Sequence, residues 1–89
     1  MDILKRAVAG TMESSDAYVE IEPSDSGSVC VTLESVVAKQ FGSRIKASVK
    51  EVLNEQGVNS ALVRVIDRGA LDCVIRARVE TAILRARED

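Results

Sequence analysis

The sequence predicts an α+β domain: a small mixed β-sheet, built from a hairpin or meander plus one parallel crossover strand, with two amphipathic helices packed on it. Three observations carry this expectation. Residues 17–22 and 28–34 alternate apolar and polar side chains with period two, residues 37–56 switch to spacings of three and four, and a further strand-like run at 61–66 precedes a last helical stretch. A strand, a helix and another strand in succession place 28–34 and 61–66 side by side and parallel, because such a crossover is right-handed.

Taken in order, residues 6–13 are small and tolerate extended backbone. Residues 17–22 set Val19 and Ile21 on one face and Tyr18, Glu20 and Glu22 on the other. The segment Pro23-Ser-Asp-Ser-Gly27 supplies residues that turns favour, since proline fixes φ and glycine accepts positive φ, and is expected to close a hairpin. Val29, Val31 and Leu33 then oppose Cys30 and Thr32. From Val37, an apolar stripe of Val37, Phe41, Ile45, Val49 and Val52 faces away from Lys39, Lys46, Lys50 and Asn54, weakened at its start by Gly42. Gly57 stands where a left-handed cap belongs, so this helix should stop near Gln56. Asp67-Arg-Gly69 turns the chain from the strand at 61–66 into the helix at about 70–87.

That last helix carries two stripes. At about 100° per residue, Leu71, Ile75, Val79, Ala82 and Ala86 line one side and Cys73, Ala77 and Leu84 the other. Arg76, Arg78, Arg85 and Arg87 run between them. Two readings stay open: a helix buried by its own domain, with its arginines paired to Asp72, Glu80 and Glu88, or a docking face for a larger subunit.

Composition removes several function classes. The 89 residues, 46% of them apolar, suffice for one domain over 1–89 with a modest core, and no repeat or linker divides them. A formal charge of −2 and aromatics limited to Tyr18 and Phe41 argue against nucleic acid. With no histidine and two cysteines, Cys30 and Cys73, far apart in the chain, an ordinary tetrahedral zinc site is not expected. The cysteines read as small core residues of a reducing compartment, with a disulfide or a reactive thiol as the other readings. The basic start Met-Asp-Ile-Leu-Lys-Arg runs into Ala-Val-Ala-Gly-Thr instead of a continuous apolar stretch, and no run reaches membrane-spanning length, so a cytoplasmic protein is expected, with no membrane partner. A free-standing enzyme has little to build a site from.

The segment Ala7-Val-Ala-Gly-Thr-Met-Glu-Ser-Ser-Asp16 sets two serines in a small, acid-flanked turn between extended runs. Without an imidazole base neither serine is an activated nucleophile, so chemistry at these hydroxyls has to come from another protein. The turn reads as a place of modification. Glu13 and Asp16 flank it, either solubilising the turn or repelling any phosphate-bearing group such as the one implied by the resemblance described next.

Three fragments, Ala7-Val-Ala-Gly-Thr-Met-Glu-Ser14, Val37-Ala-Lys-Gln-Phe-Gly42 and Asp67-Arg-Gly-Ala-Leu-Asp-Cys-Val-Ile-Arg-Ala-Arg78, together resemble the acyl carrier (gamma) subunit family of citrate lyase. The likeness covers nearly the whole chain. It implies a covalently attached 2'-(5''-phosphoribosyl)-3'-dephospho-CoA, joined by a phosphodiester to Ser14, with Ser15, where other members can have glycine, as the confounder. It further implies a non-catalytic role, with acetyl and citryl thioesters on the arm's thiol passing between the alpha (acyl transferase) and beta (acyl lyase) subunits, and loading by a holo-carrier synthase. The thiol belongs to the arm, so neither cysteine is needed as carrier. The carrier of malonate decarboxylase is the nearest alternative, and an interaction module that uses the last helix is another.

Overall fold

The computed structural model describes residues 3–88. Met1, Asp2 and Asp89 lie outside them, and with them the first two residues of the N-terminal stretch read above as unlike a targeting signal. In chain order the elements are β1 (Ala7–Gly10), β2 (Ala17–Glu22), β3 (Val29–Ser35), α1 (Ala38–Glu55), β4 (Ala61–Asp67) and α2 (Asp72–Ala86). The sheet order is β1-β2-β4-β3. β1 and β2 are antiparallel, β2 and β4 antiparallel, and β3 and β4 parallel. The mixed sheet, its parallel crossover pair and its two helices are those expected from the sequence.

One connection differs. The turn at Pro23–Gly27 does not close a hairpin, because β4 is inserted between β2 and β3. The buried alternation of β2, with Ala17, Val19 and Ile21 fully inside, explains the insertion. A strand this apolar on one face belongs in the middle of a sheet, and β4, with Ala61, Val63 and Val65 buried, is its match. β3 is the more exposed strand, with only Val31 buried, and it takes the edge. The real hairpin is β1–β2, and its loop is the serine turn.

Both helices lie on the sheet face that carries these residues: α2 packs on β1 and β2, α1 on β3, and the helices on each other. α1 contributes Ile45, Val49, Val52 and Leu53, and α2 contributes Ile75, Val79, Ala82, Ile83 and Ala86. Phe41, expected in the apolar stripe of α1, is instead 43% exposed. α1 ends as expected. Gly57 has φ +72°, its N–H donates to the Asn54 carbonyl and the Val58 N–H to that of Leu53, the paired bonds of a Schellman cap.

Both cysteines correct the sequence reading. Cys30 lies on the open outer face of β3 and Cys73 on the outward side of α2, and both are exposed free thiols. A core role needs side chains pointing at the helix–sheet interface, and the register of β3 turns Cys30 to the opposite side from Val29 and Val31.

The second stripe of α2 is also exposed, with Leu84 at 60%, and Leu71, the first residue of the inner stripe, stands outside at the N-cap. The arginines between the stripes do not pair with Asp72, Glu80 and Glu88 but reach other elements. Arg76 binds Glu51 of α1 at 2.7 Å, Arg78 binds Asp16, Arg85 donates to the Val8 carbonyl at 2.9 Å, and Arg87 donates to the Gln56 carbonyl. The guanidiniums of α2 thus tie the helix to α1 and to the β1–β2 hairpin.

Candidate functional site

The loop between β1 and β2 is a tight, internally braced turn. Asp16 donates its N–H to the Glu13 carbonyl at 3.1 Å, closing a β-turn whose central residues are Ser14 and Ser15. Ser15 has φ +65°, as the third position of a type II turn requires. Both serines are exposed. Among the described residues no protein group engages either hydroxyl, so both oxygens are open to a modifying enzyme.

Asp16 organises the turn from beneath. Its carboxylate accepts the Thr11 hydroxyl at 2.7 Å, its own neighbour's N–H at Ala17 at 2.7 Å, and the Arg78 guanidinium through Nε at 3.0 Å and Nη2 at 3.3 Å. Thr11 in turn accepts the Glu13 N–H at 3.2 Å. The Thr11 hydroxyl, the Arg78 guanidinium and the Ala17 N–H hold the Asp16 carboxyl down at about 2. Two backbone bonds fasten the turn to the end of β4: the Ser15 N–H donates to the Arg68 carbonyl at 2.9 Å, and the Arg68 N–H to the Asp16 carbonyl at 3.0 Å.

This arrangement corrects the electrostatic reading of the turn. Asp16 is a pinned, arginine-paired anchor and does not face outward as a repelling charge, which leaves Glu13 as the one free carboxylate flanking the serines. Neutralising both acids would therefore loosen the turn as well as discharge it.

Replacing Asp16 by Asn removes the charged half of this network. We expect a loss of about 1–3 kcal/mol at neutral pH, the range for charge-assisted hydrogen bonds. The folded carboxyl, at about 2, lies below the unfolded value near 3.9, so its contribution is complete above about pH 4 and disappears as pH falls through about 2. Urea unfolding of both proteins should show a stability gap at pH 7 that closes toward pH 2. A gap that persisted at pH 2 would deny the carboxylate this role.

The positive φ of Ser15 also separates the two serines. A left-handed residue that is not glycine carries a cost of about 1–2 kcal/mol, and a β-branched one fits worse. Ser15→Gly should therefore be neutral to within about 1 kcal/mol, the relief offset by the entropy of glycine in the unfolded chain. Ser15→Val should lose about 1–2 kcal/mol, read as a drop of roughly 4–16 °C in thermal midpoint. The same serine physically accounts for a position at which glycine is acceptable.

Behind the turn, the β4–α2 connection is equally fixed. Asp67, 1% exposed at the inner end of β4, accepts the Ser35 hydroxyl at 2.7 Å and the N–H groups of Gly69 at 3.1 Å and Ala70 at 2.9 Å. The sequence marked Asp67 as the start of a turn and Arg78 as one of four arginines on the last helix, and both as members of a motif fragment, but not as supports of the serine turn. The residue Arg78 touches is 62 positions away, so no local spacing could announce the contact. Among the described residues no cluster of three or more potential ligands could hold a metal ion, and no helix is long and apolar enough to cross a membrane.

Comparison with known proteins gives a consistent result. A protein-family model described as the malonate decarboxylase delta subunit (MdcD), within an acyl carrier family, matches residues 4–86. The chain is 53% identical, over its full length and 92% of the relative, to a citrate lyase acyl carrier protein of Haemophilus influenzae. It is 50% identical to that of Clostridium perfringens, covering 99% of this chain and 87% of the other. It is 51% identical to citrate lyase acyl carrier protein 2 of Salmonella typhimurium, covering 99% and 91%. Among solved structures, a chain of a Pseudomonas malonate decarboxylase hetero-tetramer in complex with malonate superposes with a TM-score of 0.83 at 24% identity, over 97% of this chain and 88% of the other, a likeness of fold.

Proposed function

Because the chain belongs to the citrate lyase acyl carrier protein family, we propose that it is the acyl carrier subunit of a citrate lyase, a non-catalytic protein that carries a 2'-(5''-phosphoribosyl)-3'-dephospho-CoA arm on Ser14. The observation that carries this reading is the unengaged, exposed Ser14 hydroxyl at the crest of a turn held from below by Thr11, Asp16 and Arg78. A hydroxyl that is to be joined by a phosphodiester to a bulky donor needs access without local unfolding, and a braced loop tip supplies it. Ser15 is also accessible, and the place of Ser14 in the Ala-Gly-Thr-x-Glu-Ser segment favours the first serine.

When attached, the arm supplies the thiol on which acetyl and citryl groups travel between the alpha and beta subunits as citrate is cleaved to acetate and oxaloacetate. The chain's own residues contribute the anchor, a stiff mount and a high local concentration of the acyl group at partner active sites. A holo-carrier synthase is the partner that loads it, and the cytoplasm is where this chemistry is placed. The relatives at about half identity favour the citrate lyase branch over the malonate decarboxylase carrier, whose solved relative shares the fold at 24% identity.

Intact mass of the protein purified from its native host tests the reading. An adduct of the arm's mass that maps by peptide fragmentation to Ser14 is the expected result, and an unmodified chain from cells actively cleaving citrate would overturn it.

A further inference from the structure

A groove of about 440 Å³ opens between the first half of α1 and the β4–α2 connection. Its walls are largely apolar, from Val37, Phe41 and Ile45 of the α1 side and Ala70 and Ile75 of the α2 side. Its position is the notable point. Asp67 and Gly69, which also line it, flank Arg68, whose carbonyl and N–H hold the serine turn. The attachment turn and the groove wall are thus joined through one residue.

The polar groups of the groove are unequally engaged. Asp67 is saturated by Ser35, Gly69 and Ala70, and Asp72 accepts the Ser48 hydroxyl at 2.6 Å. Arg44 makes no ion pair or hydrogen bond among the described residues. It stands on a stretch of α1, residues 38–50, whose charged side chains are Lys39, Arg44, Lys46 and Lys50, with no acid. One helical turn earlier Phe41 leaves 43% of its surface exposed, where the apolar stripe would have buried it. An exposed aromatic ring, an unpaired guanidinium three residues on and apolar walls are the chemistry that takes a purine nucleotide: ring against ring, phosphate against guanidinium.

We propose that this groove is the resting seat of the adenosine diphosphate portion of the arm, with Phe41 facing the purine and Arg44 the diphosphate. The inference rests on attachment at the serine turn. In the linkage described above, the adenosine unit lies next to the phosphoribosyl group bonded to Ser14, so this portion of the arm is held close to the turn that Arg68 fastens to the groove wall. A tether raises local concentration to the order of millimolar, so a site of about millimolar affinity, empty to free nucleotide at protein concentration, would be about half occupied by the arm. The acylated end would then pivot from the groove instead of from Ser14.

The test compares amide spectra of the modified and unmodified chain, with modification first established by mass. Shifts are expected at Phe41, Arg44, Gly69 and Ala70 as well as at residues 11–16. In Phe41→Ala and in Arg44→Gln, both exposed positions whose replacement spares the core, the groove shifts should vanish while those at 11–16 remain. A chain with the adduct whose shifts stay confined to 11–16 and Arg68 overturns the seat and leaves the carrier function standing. If no adduct forms, the carrier function falls, and titration of the unmodified chain with free dephospho-coenzyme A decides the groove. Shifts at the same four residues, lost in Arg44→Gln, support it, and none at several millimolar overturns it. Groove shifts that arise only on adding a partner subunit would assign the surface to that subunit and overturn the proposal.

Discussion

Ser14→Ala is expected to remove the prosthetic adduct entirely and to reduce citrate cleavage by the reconstituted complex to background, with the fold intact. The hydroxyl is exposed and has no partner among the described residues, so its loss should change stability by no more than about 0.5 kcal/mol, the usual range at unremarkable surface positions. The turn does not depend on it, because the braces run through Thr11, Asp16, Arg68 and Arg78. This separation makes the experiment clean: a full loss of adduct with an unchanged melting curve identifies an attachment point, whereas a structural serine would lower both. Persistence of the adduct in this variant, abolished only on adding Ser15→Ala, would move the anchor by one residue.

Gly10→Ala should act in the opposite way, through the fold. Gly10 has φ +87°, and a Cβ placed there would stand 1.9 Å from the Ala17 carbonyl oxygen and 3.0 Å from Cδ of Arg78. The first contact is with backbone across the hairpin and cannot be relieved by a rotamer change. Added to the usual left-handed penalty, the displacement of β1 should cost about 3 kcal/mol or more, roughly 12–24 °C in thermal midpoint for a domain of this size. Arg78 runs over this glycine to reach Asp16, so the same change should also disorder the serine turn and slow modification of whatever remains folded. An alanine variant melting within a few degrees of the parent would contradict the close approach.

Much of the fold was legible because periodicity and burial agree. The alternation at 17–22 and the three-and-four spacing from Val37 become β2 and α1, with Val19, Ile21, Ile45, Val49 and Val52 inside as expected and Phe41 outside, and Gly57 ends α1 with the left-handed cap its position announces. The strand order was not legible. Whether the turn at Pro23–Gly27 joins neighbours or skips a strand depends on which strand best covers β2, and that partner, β4, arrives from the other end of the chain. Cys30 was misread as core on its residue type, although the alternation of 28–34 already set it with Thr32 on the face opposite Val29, Val31 and Leu33, where the structure leaves it exposed. The serine turn was visible as a turn, but its support was not: Arg78, Arg68 and Asp67 come together only through long-range pairing. The motif fragments that carried the family resemblance contain these very residues, so the resemblance marked the mount before any geometry could.

The fastening of the serine turn to Arg68 and Arg78 also sets a time order for the cell. Translation releases residues 11–16 well before their braces at Arg68 and Arg78, and β1–β2 alone is too small a hairpin to hold its shape. The turn therefore takes its final shape only once β4 and α2 have been made and have packed, and a modification that needed the finished loop would have to wait for nearly the whole of this domain.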